Sequence, residues 1–192
     1  MAQPVEVLIL QHPLEVDNAK GTARLLHLSL PRSRLVVGEQ WEPQALTQLL
    51  TAPWSETHHT PQTVLLYPET ANAAALQLPQ PPPWDAQALH AHAQLRLVVL
   101  DGTWRKSRKM LYLNPPLQQL ARLPLHKLPA SRYRIRKAHA PEQLSTLEAT
   151  CAALAQLVGG TTRFEPLLVA FDGFVGHQLR RSSGPAIEPV RP

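Results

Sequence analysis

The chain has 192 residues, 44% of them hydrophobic and 17% charged, which is the size and composition of one globular domain rather than of a disordered chain. Gly is scarce at 8 and Pro abundant at 20, without a collagen-like period, so stiff loops are expected. A single cysteine, Cys151, excludes an intrachain disulfide and any multi-cysteine zinc ribbon. No apolar run approaches the ~18 residues of a membrane span and MAQPVEVLIL lacks a basic leader, so a soluble cytoplasmic protein is expected.

The net charge of +5 is unevenly placed. Residues 102–141 hold ten Lys or Arg and no Asp or Glu, whereas residues 1–101 carry five basic and nine acidic side chains. A confined basic segment fits either a phosphate-rich partner or a solvated basic face.

In chain order, the apolar run Val5 to Leu10 predicts a buried strand that ends before Pro13. Asp17 or Asn18 is expected to cap a short helix carrying Ala23, Leu25, Leu26, Leu28 and Leu30. A second strand is predicted at Arg34 to Val37. A helix should begin at Pro43, bury Leu46, Leu49 and Leu50, and stop at Pro53. Thr63 to Tyr67 predicts a third strand, and the prolines at 79 and 81–83 an extended connection. Asp85 is expected to cap a helix reaching His92, and LRLVVL at 95–100 predicts the next strand, stopped by Asp-Gly. Trp104 to Leu113 reads as a helix capped by Thr103 and ended by Asn114-Pro-Pro. SRYRIR at 131–136 alternates as a strand does. Pro141 is expected to open a helix with Leu144, Leu147, Cys151, Leu154 and Val158 on one face, ended by Gly159-Gly160. A last helix is expected over roughly Glu165 to Arg181, with residues 182–192 as a loose tail. Alternating strands and helices predict an α/β domain with a mainly parallel sheet, and such sheets take ligands at the carboxyl ends of their strands.

The sequence lacks a Gly-x-x-x-x-Gly-Lys phosphate loop, Gly-x-Gly-x-x-Gly, Gly-x-Ser-x-Gly and His-Glu-x-x-His. Its histidines do not form a ligand set, since His58-His59 fall in a polar loop and His90 and His92 diverge on a helix; no metal is expected. The segment LVVLDGTWRKSRKMLYLNPP is the sharpest feature. It sets Asp101 at a strand end, Gly102 at a turn or close approach, Thr103 at a helix start and Trp104 in the first turn. Read locally, Asp101 either meets a ligand or satisfies turn amides, and Trp104 either walls a pocket or enters the core. On the helix, Arg105, Lys106 and Lys109 share one side while Trp104, Ser107 and Leu111 share another. Cys151 lies on an apolar stripe and reads as a packed side chain rather than a nucleophile.

Asp101-Gly102-Thr103-Trp104 followed by RKSRKML resembles the signature of the DTW-domain family, the tRNA-uridine aminocarboxypropyltransferases. The resemblance extends, in the same chain order, to LILQHPLE at 8–15, GTARLL at 21–26, LLYP at 65–68, SRYRIR with Lys137 after it, and the late helix. It implies a SPOUT-like single domain over residues 1–181, with a trefoil knot forming the pocket for S-adenosylmethionine. It implies transfer of that molecule's 3-amino-3-carboxypropyl group to N3 of a uridine in tRNA. Related alternatives are a SPOUT-like methyltransferase and a catalytically silent RNA-binding module.

Under that resemblance Asp101, Thr103 and Trp104 are the catalytic candidates. Asp101 would act as base or orienting group or stabilise the sulfonium, Trp104 would wall the pocket, and Thr103 would hold the amino-acid moiety or cap the helix. The donor is expected to lie against Leu66, Tyr67, Pro68, Leu100, Asp101, Gly102 and Trp104. For tRNA the candidates are His12, Arg24, Arg105, Lys106, Arg108 and Lys109, with Arg132, Tyr133, Arg134, Arg136 and Lys137. The HPxE turn with Glu15 is expected near the cleft, where His12 either meets the nucleotide or is a turn histidine without a partner. Many bacterial members begin with a cysteine-rich zinc-binding segment, and this sequence has none before its first strand, so zinc is not expected and the identity of the modified uridine is left open.

Overall fold

The computed structural model describes residues 5–19, 21–54, 59–68, 81–82, 94–125, 131, 144–160 and 162–182, with side chains left out at 163 and 178–182. The predicted helix of 85–92, the strand of 131–136, the proline-rich connection and the tail beyond Ser182 lie wholly or mainly outside the described residues.

Five strands form one parallel sheet in the order β2-β1-β4-β3-β5. They are β1 (Val5–Gln11), β2 (Ser33–Val37), β3 (Gln62–Leu66), β4 (Leu95–Asp101) and β5 (Ala121–Leu123). Six α-helices are found among the described residues: α1 (Ala23–Ser29), α2 (Pro43–Thr51), α3 (Trp104–Leu113), α4 (Pro115–Gln118), α5 (Thr146–Val158) and α6 (Glu165–Ser182). None is long and apolar enough to cross a membrane.

Strand periodicity divides the core in two. Val7, Ile9, Val64, Leu97, Val99 and Leu123 face one side with Ala23, Leu26, Cys151, Leu154, Phe171 and Val175 from α1, α5 and α6. Leu8, Leu10, Leu65 and Val98 face the other with Leu46, Leu50, Met110, Leu111 and Leu117 from α2, α3 and α4. Both sheet faces are covered, so the central strands read as continuous apolar runs rather than as alternating ones.

Two helix starts differ from expectation, one through a tertiary partner and one through a local capping box. Neither Asp17 nor Asn18 caps α1; Thr22 is the N-cap residue, and its hydroxyl accepts instead from the Leu147 amide of α5 at 3.2 Å. The helix expected from Pro141 starts at Thr146, because Ser145 and Glu148 form a reciprocal capping box. Its other end is as read, with Gly159 in the left-handed region at φ 68. α4, which opens on Pro115-Pro116, and β5, which ends before Pro124, escaped the sequence reading because they span only four and three residues. Cys151 is buried, and burial pushes its thiol up to about 12, so it stays a neutral packed group.

At the amino-terminal end of the sheet, β1 and β4 bring Glu6 and Arg96 side by side, both fully buried. Arg96 donates to Glu6 Oε2 at 2.9 and 2.6 Å and to the carbonyls of Leu49 and Ala52, which end α2. The Arg96 and Arg34 guanidinium groups both lie over the Trp54 ring, at 4.4 and 4.5 Å from its centre. The pair thus anchors α2 to the sheet at the end opposite the strand carboxyl termini. Removing one partner strands the other charge in the interior, so Glu6→Ala is expected to lower the unfolding free energy by about 3–5 kcal/mol in urea titration. A loss below about 1 kcal/mol would contradict this role.

Candidate active site

β1 and β4 are neighbours whose onward connections leave in opposite directions, β1 through α1 to β2 and β4 through α3 and α4 to β5. Their carboxyl ends therefore border the crevice where open parallel sheets take ligands. Gln11 and Asp101 are the last residues of the two strands and are register partners, so their side chains project to the same face. Gln11 Nε2 donates to Asp101 Oδ2 at 2.9 Å, and Thr146 Oγ1 donates to Oδ1 at 2.6 Å. Thr146 is the first residue of α5, so the carboxylate is set at a helix amino terminus, where negative charge is favoured. Asp101 is buried and held in one orientation by donors from two other elements.

The HPLE turn is a built connector. After β1 the His12 amide donates to the Asp101 carbonyl at 2.9 Å, and Pro13–Glu15 form a 3-10 turn capped by His12. His12 Nδ1 accepts from the Leu14 amide at 3.1 Å, which places the proton on Nε2, and Nε2 donates to Glu39 Oε1 at 2.8 Å. His12 is thus buried with both ring nitrogens engaged, not a turn histidine without a partner. Glu15 accepts from Lys106 Nζ at 2.7 Å and Asn18 Nδ2 at 2.8 Å, joining the turn to α3.

Glu39 stands on the loop after β2. The Gly38 amide donates to the Gln11 carbonyl, and a Cβ on Gly38 would lie 2.6 Å from the Trp41 ring, so only glycine lets that ring pack there. Asn114, read from sequence as a helix stop, also clamps the loop by donating to the Glu39 carbonyl at 2.9 Å and accepting from the Trp41 amide at 3.0 Å.

α3 begins with Thr103, whose Oγ1 accepts from the Lys106 amide, so its capping role is realised. Gly102 packs tightly; a Cβ there would meet that of Lys106 at 3.1 Å. Trp104 is 55% exposed rather than in the core, and meets Tyr67 edge to face at 5.9 Å between ring centres. Tyr67 itself is buried, and desolvation pushes its phenol pKa above the ordinary value despite a Ser107 hydrogen bond and nearby Arg122 and Arg108. Leu66 ends β3 half-buried, Pro68 is exposed beyond Tyr67, and Leu100 packs beside Asp101 on the α3 side of the sheet.

Two of the four cations of α3 are held by carboxylates from far along the chain, Lys106 by Glu15 and Lys109 by Glu39 at 2.8 Å. Arg105 and Arg108 are exposed on the same helix. Arg24 is exposed in the first turn of α1 and joins none of these contacts. Residues 132–137 lie outside the described residues, so the structure places neither Tyr133 nor the four cations there. Among the described residues, no group of three or more His, Cys, Asp and Glu could hold a metal ion. Gln11, Glu39, Asn114 and Thr146 were missed as site residues. Only Gln11 left a usable signal, as the polar residue that closes an apolar strand.

Hydrogen bonds from Lys109 and then His12 hold the Glu39 carboxyl below its ordinary 4.5. A carboxylate with a lowered folded pKa stabilises above its unfolded pKa and loses that contribution as pH falls through the folded one. Wild type is therefore expected to be more stable than Glu39→Gln at neutral pH, with the gap closing below 4.5 in thermal melts. A gap unchanged from neutral to acid would contradict the pairing.

The family model described as the DTW domain matches residues 1–179. A Drosophila melanogaster protein named tRNA-uridine aminocarboxypropyltransferase 2 is 30% identical over 154 residues, 79% of this chain and 56% of that protein. Proteins of the same name from Macaca fascicularis and Mus musculus are each 26% identical over 179 residues, 91% of this chain and 55% of their own length. The chain thus spans about half the length of the curated relatives it matches, and no solved structure matches it. With its signature residues gathered at the ends of β1 and β4 and the family model matching from the first residue to the last helix, the chain belongs to the DTW-domain family.

Proposed function

We propose that this protein transfers the 3-amino-3-carboxypropyl group of S-adenosylmethionine to N3 of a uridine in tRNA. The observation that carries the reading is the Asp101 carboxylate, fixed by Gln11 and Thr146 at the carboxyl ends of β1 and β4, the same end of the sheet at which Tyr67 follows β3 and meets Trp104 at the start of α3. The names of the relatives support the reaction class.

The residues suit the chemistry. The donor supplies a sulfonium whose adjacent methylene carbon bonds to uridine N3 while the carbon–sulfur bond breaks, its electron pair leaving with methylthioadenosine. Asp101 accepts the N3 proton or holds the imide by it, and its fixed orientation removes the need to reorganise during reaction. Trp104 and Tyr67 offer ring faces to the sulfonium, and the chain around Leu66, Pro68, Leu100 and Gly102 lines the adenosine side. Thr103 holds the start of α3 in place beside them.

For tRNA, Arg105 and Arg108 are the exposed cations of α3, and Arg132, Arg134, Arg136 and Lys137 extend the basic stretch, with Tyr133 to stack on a base. Lys106 and Lys109 fix the turns after β1 and β2 through Glu15 and Glu39, and Arg24 and His12 are further candidates for contact with the tRNA. A SPOUT-like knotted arrangement over residues 1–181 is part of the same reading; β4 seated between β1 and β3, with β5 beyond β3, supports it.

Two batches of S-adenosylmethionine, labelled in the methyl group or in the carboxyl carbon, test the reaction with bulk tRNA. Carboxyl label alone in RNA is the expected result, and methyl label alone would make the protein a methyltransferase. Binding of tRNA should weaken at least about tenfold when monovalent salt is raised about fourfold. An affinity indifferent to salt would overturn the phosphate contacts.

A further inference from the structure

β5 alternates like the other strands: Ala121 and Leu123 pack toward α5 and α6, and Arg122, the register partner of Leu65, projects to the opposite face. There its guanidinium lies 5.3 Å from the centre of the Tyr67 ring. Arg122 is 6% exposed, its Nη1 has no hydrogen-bond partner, and among the described residues no carboxylate pairs with it. Arg96, the other buried arginine on that face, shows how this fold treats a structural guanidinium: it is closed by Glu6 and two helix carbonyls. A buried donor left open is costly unless a ligand completes it. Burial pushes the Arg122 pKa below its ordinary value, and neighbouring Tyr67 opposes that shift.

Position narrows the ligand. Tyr67 touches both Arg122 and Trp104, so the guanidinium stands behind the aromatic pair, at the end of β3 that carries the site. A planar guanidinium fork matches a carboxylate in two parallel hydrogen bonds. An RNA backbone tracks exposed cations, and Arg105 and Arg108 supply those on the outer side of α3.

We propose that Arg122 receives the carboxylate of the donor's amino-acid arm, fixing the propyl chain across Tyr67 while Trp104 flanks the sulfonium. This rests on the function proposed above. It makes Arg122 the residue that distinguishes an intact aminocarboxypropyl donor from one lacking its carboxylate.

Calorimetric titration of S-adenosylmethionine, decarboxylated S-adenosylmethionine and methylthioadenosine into wild type and Arg122→Met tests it, with thermal melting as the control for folding. Arg122→Met should weaken S-adenosylmethionine by about tenfold or more and leave methylthioadenosine within about twofold. Wild type should disfavour the decarboxylated donor by a similar factor, a readout that survives even if the variant fails to fold. Equal weakening of all three by the variant would make Arg122 a packing residue and overturn the proposal. So would donor affinity unchanged while tRNA affinity falls, which would assign the guanidinium to a phosphate. Wild type that binds methylthioadenosine but is indifferent to the carboxylate overturns this inference alone, whereas wild type that binds none of the three overturns the proposed function as well.

Discussion

The carboxylate of Asp101 is the point on which three parts of the chain converge. It ends β4, is tied through Gln11 to the end of β1, and is tied through Thr146 to the start of α5, 45 residues further along. The convergence follows from strand order: only because β4 lies beside β1 do the two strand ends come into register, and only there do their connections diverge. The same junction orders the chain beyond it. The His12 amide bonds the Asp101 carbonyl, the Gly38 amide bonds the Gln11 carbonyl, and Thr22 receives the Leu147 amide of α5. A shift of any one of these strand ends would move the candidate base along with the turns that surround it.

Electrostatics divides the molecule between its two ends. At the amino-terminal edge of the sheet a closed pair, Glu6 with Arg96, is buried and fully hydrogen-bonded, and its task is to hold α2. At the carboxyl edge the charges are arranged differently. Glu15 and Glu39 reach across from two loops to take Lys106 and Lys109, so the helix that looks uniformly basic in sequence is half neutralised in space. Those bridges are partly exposed, and their worth lies less in stability than in fixing the loops that follow β1 and β2 against α3. Arg105 and Arg108 keep the positive potential that a polyanion would meet.

The main strands and helices were legible because burial on both faces leaves continuous apolar runs, as in VEVLIL and LRLVVL, and because α2 opens on Pro43 and α3 carries its own cap at Thr103. What was not legible was set by partners distant in sequence. Thr22 reads as an ordinary residue until α5 lends it an amide. The Ser145-x-x-Glu148 capping box, by contrast, is a local signal that the reading from Pro141 passed over. Asp101, Thr103 and Trp104 stood out because a strand end, a turn and a helix start are local events. Glu39, Asn114 and Thr146 did not, since each acts on a residue supplied by another element. His12 was found by its motif, but its engagement by Glu39 depends on a loop 27 residues away.

The account turns on Asp101 acting on the uridine imide rather than merely joining β4 to α5. Asp101→Asn keeps the shape while removing the charge and basicity; its one oxygen accepts from one of Gln11 and Thr146, and its Nδ2 donates to the other once that amide or hydroxyl reverses. Single-turnover transfer to tRNA by this variant is the most direct measurement, made beside binding of tRNA and S-adenosylmethionine. The account predicts a rate lower by about 10²–10⁴-fold with both affinities and the melting temperature little changed. A variant that transfers at the wild-type rate would contradict it and leave the carboxylate as a structural tie alone.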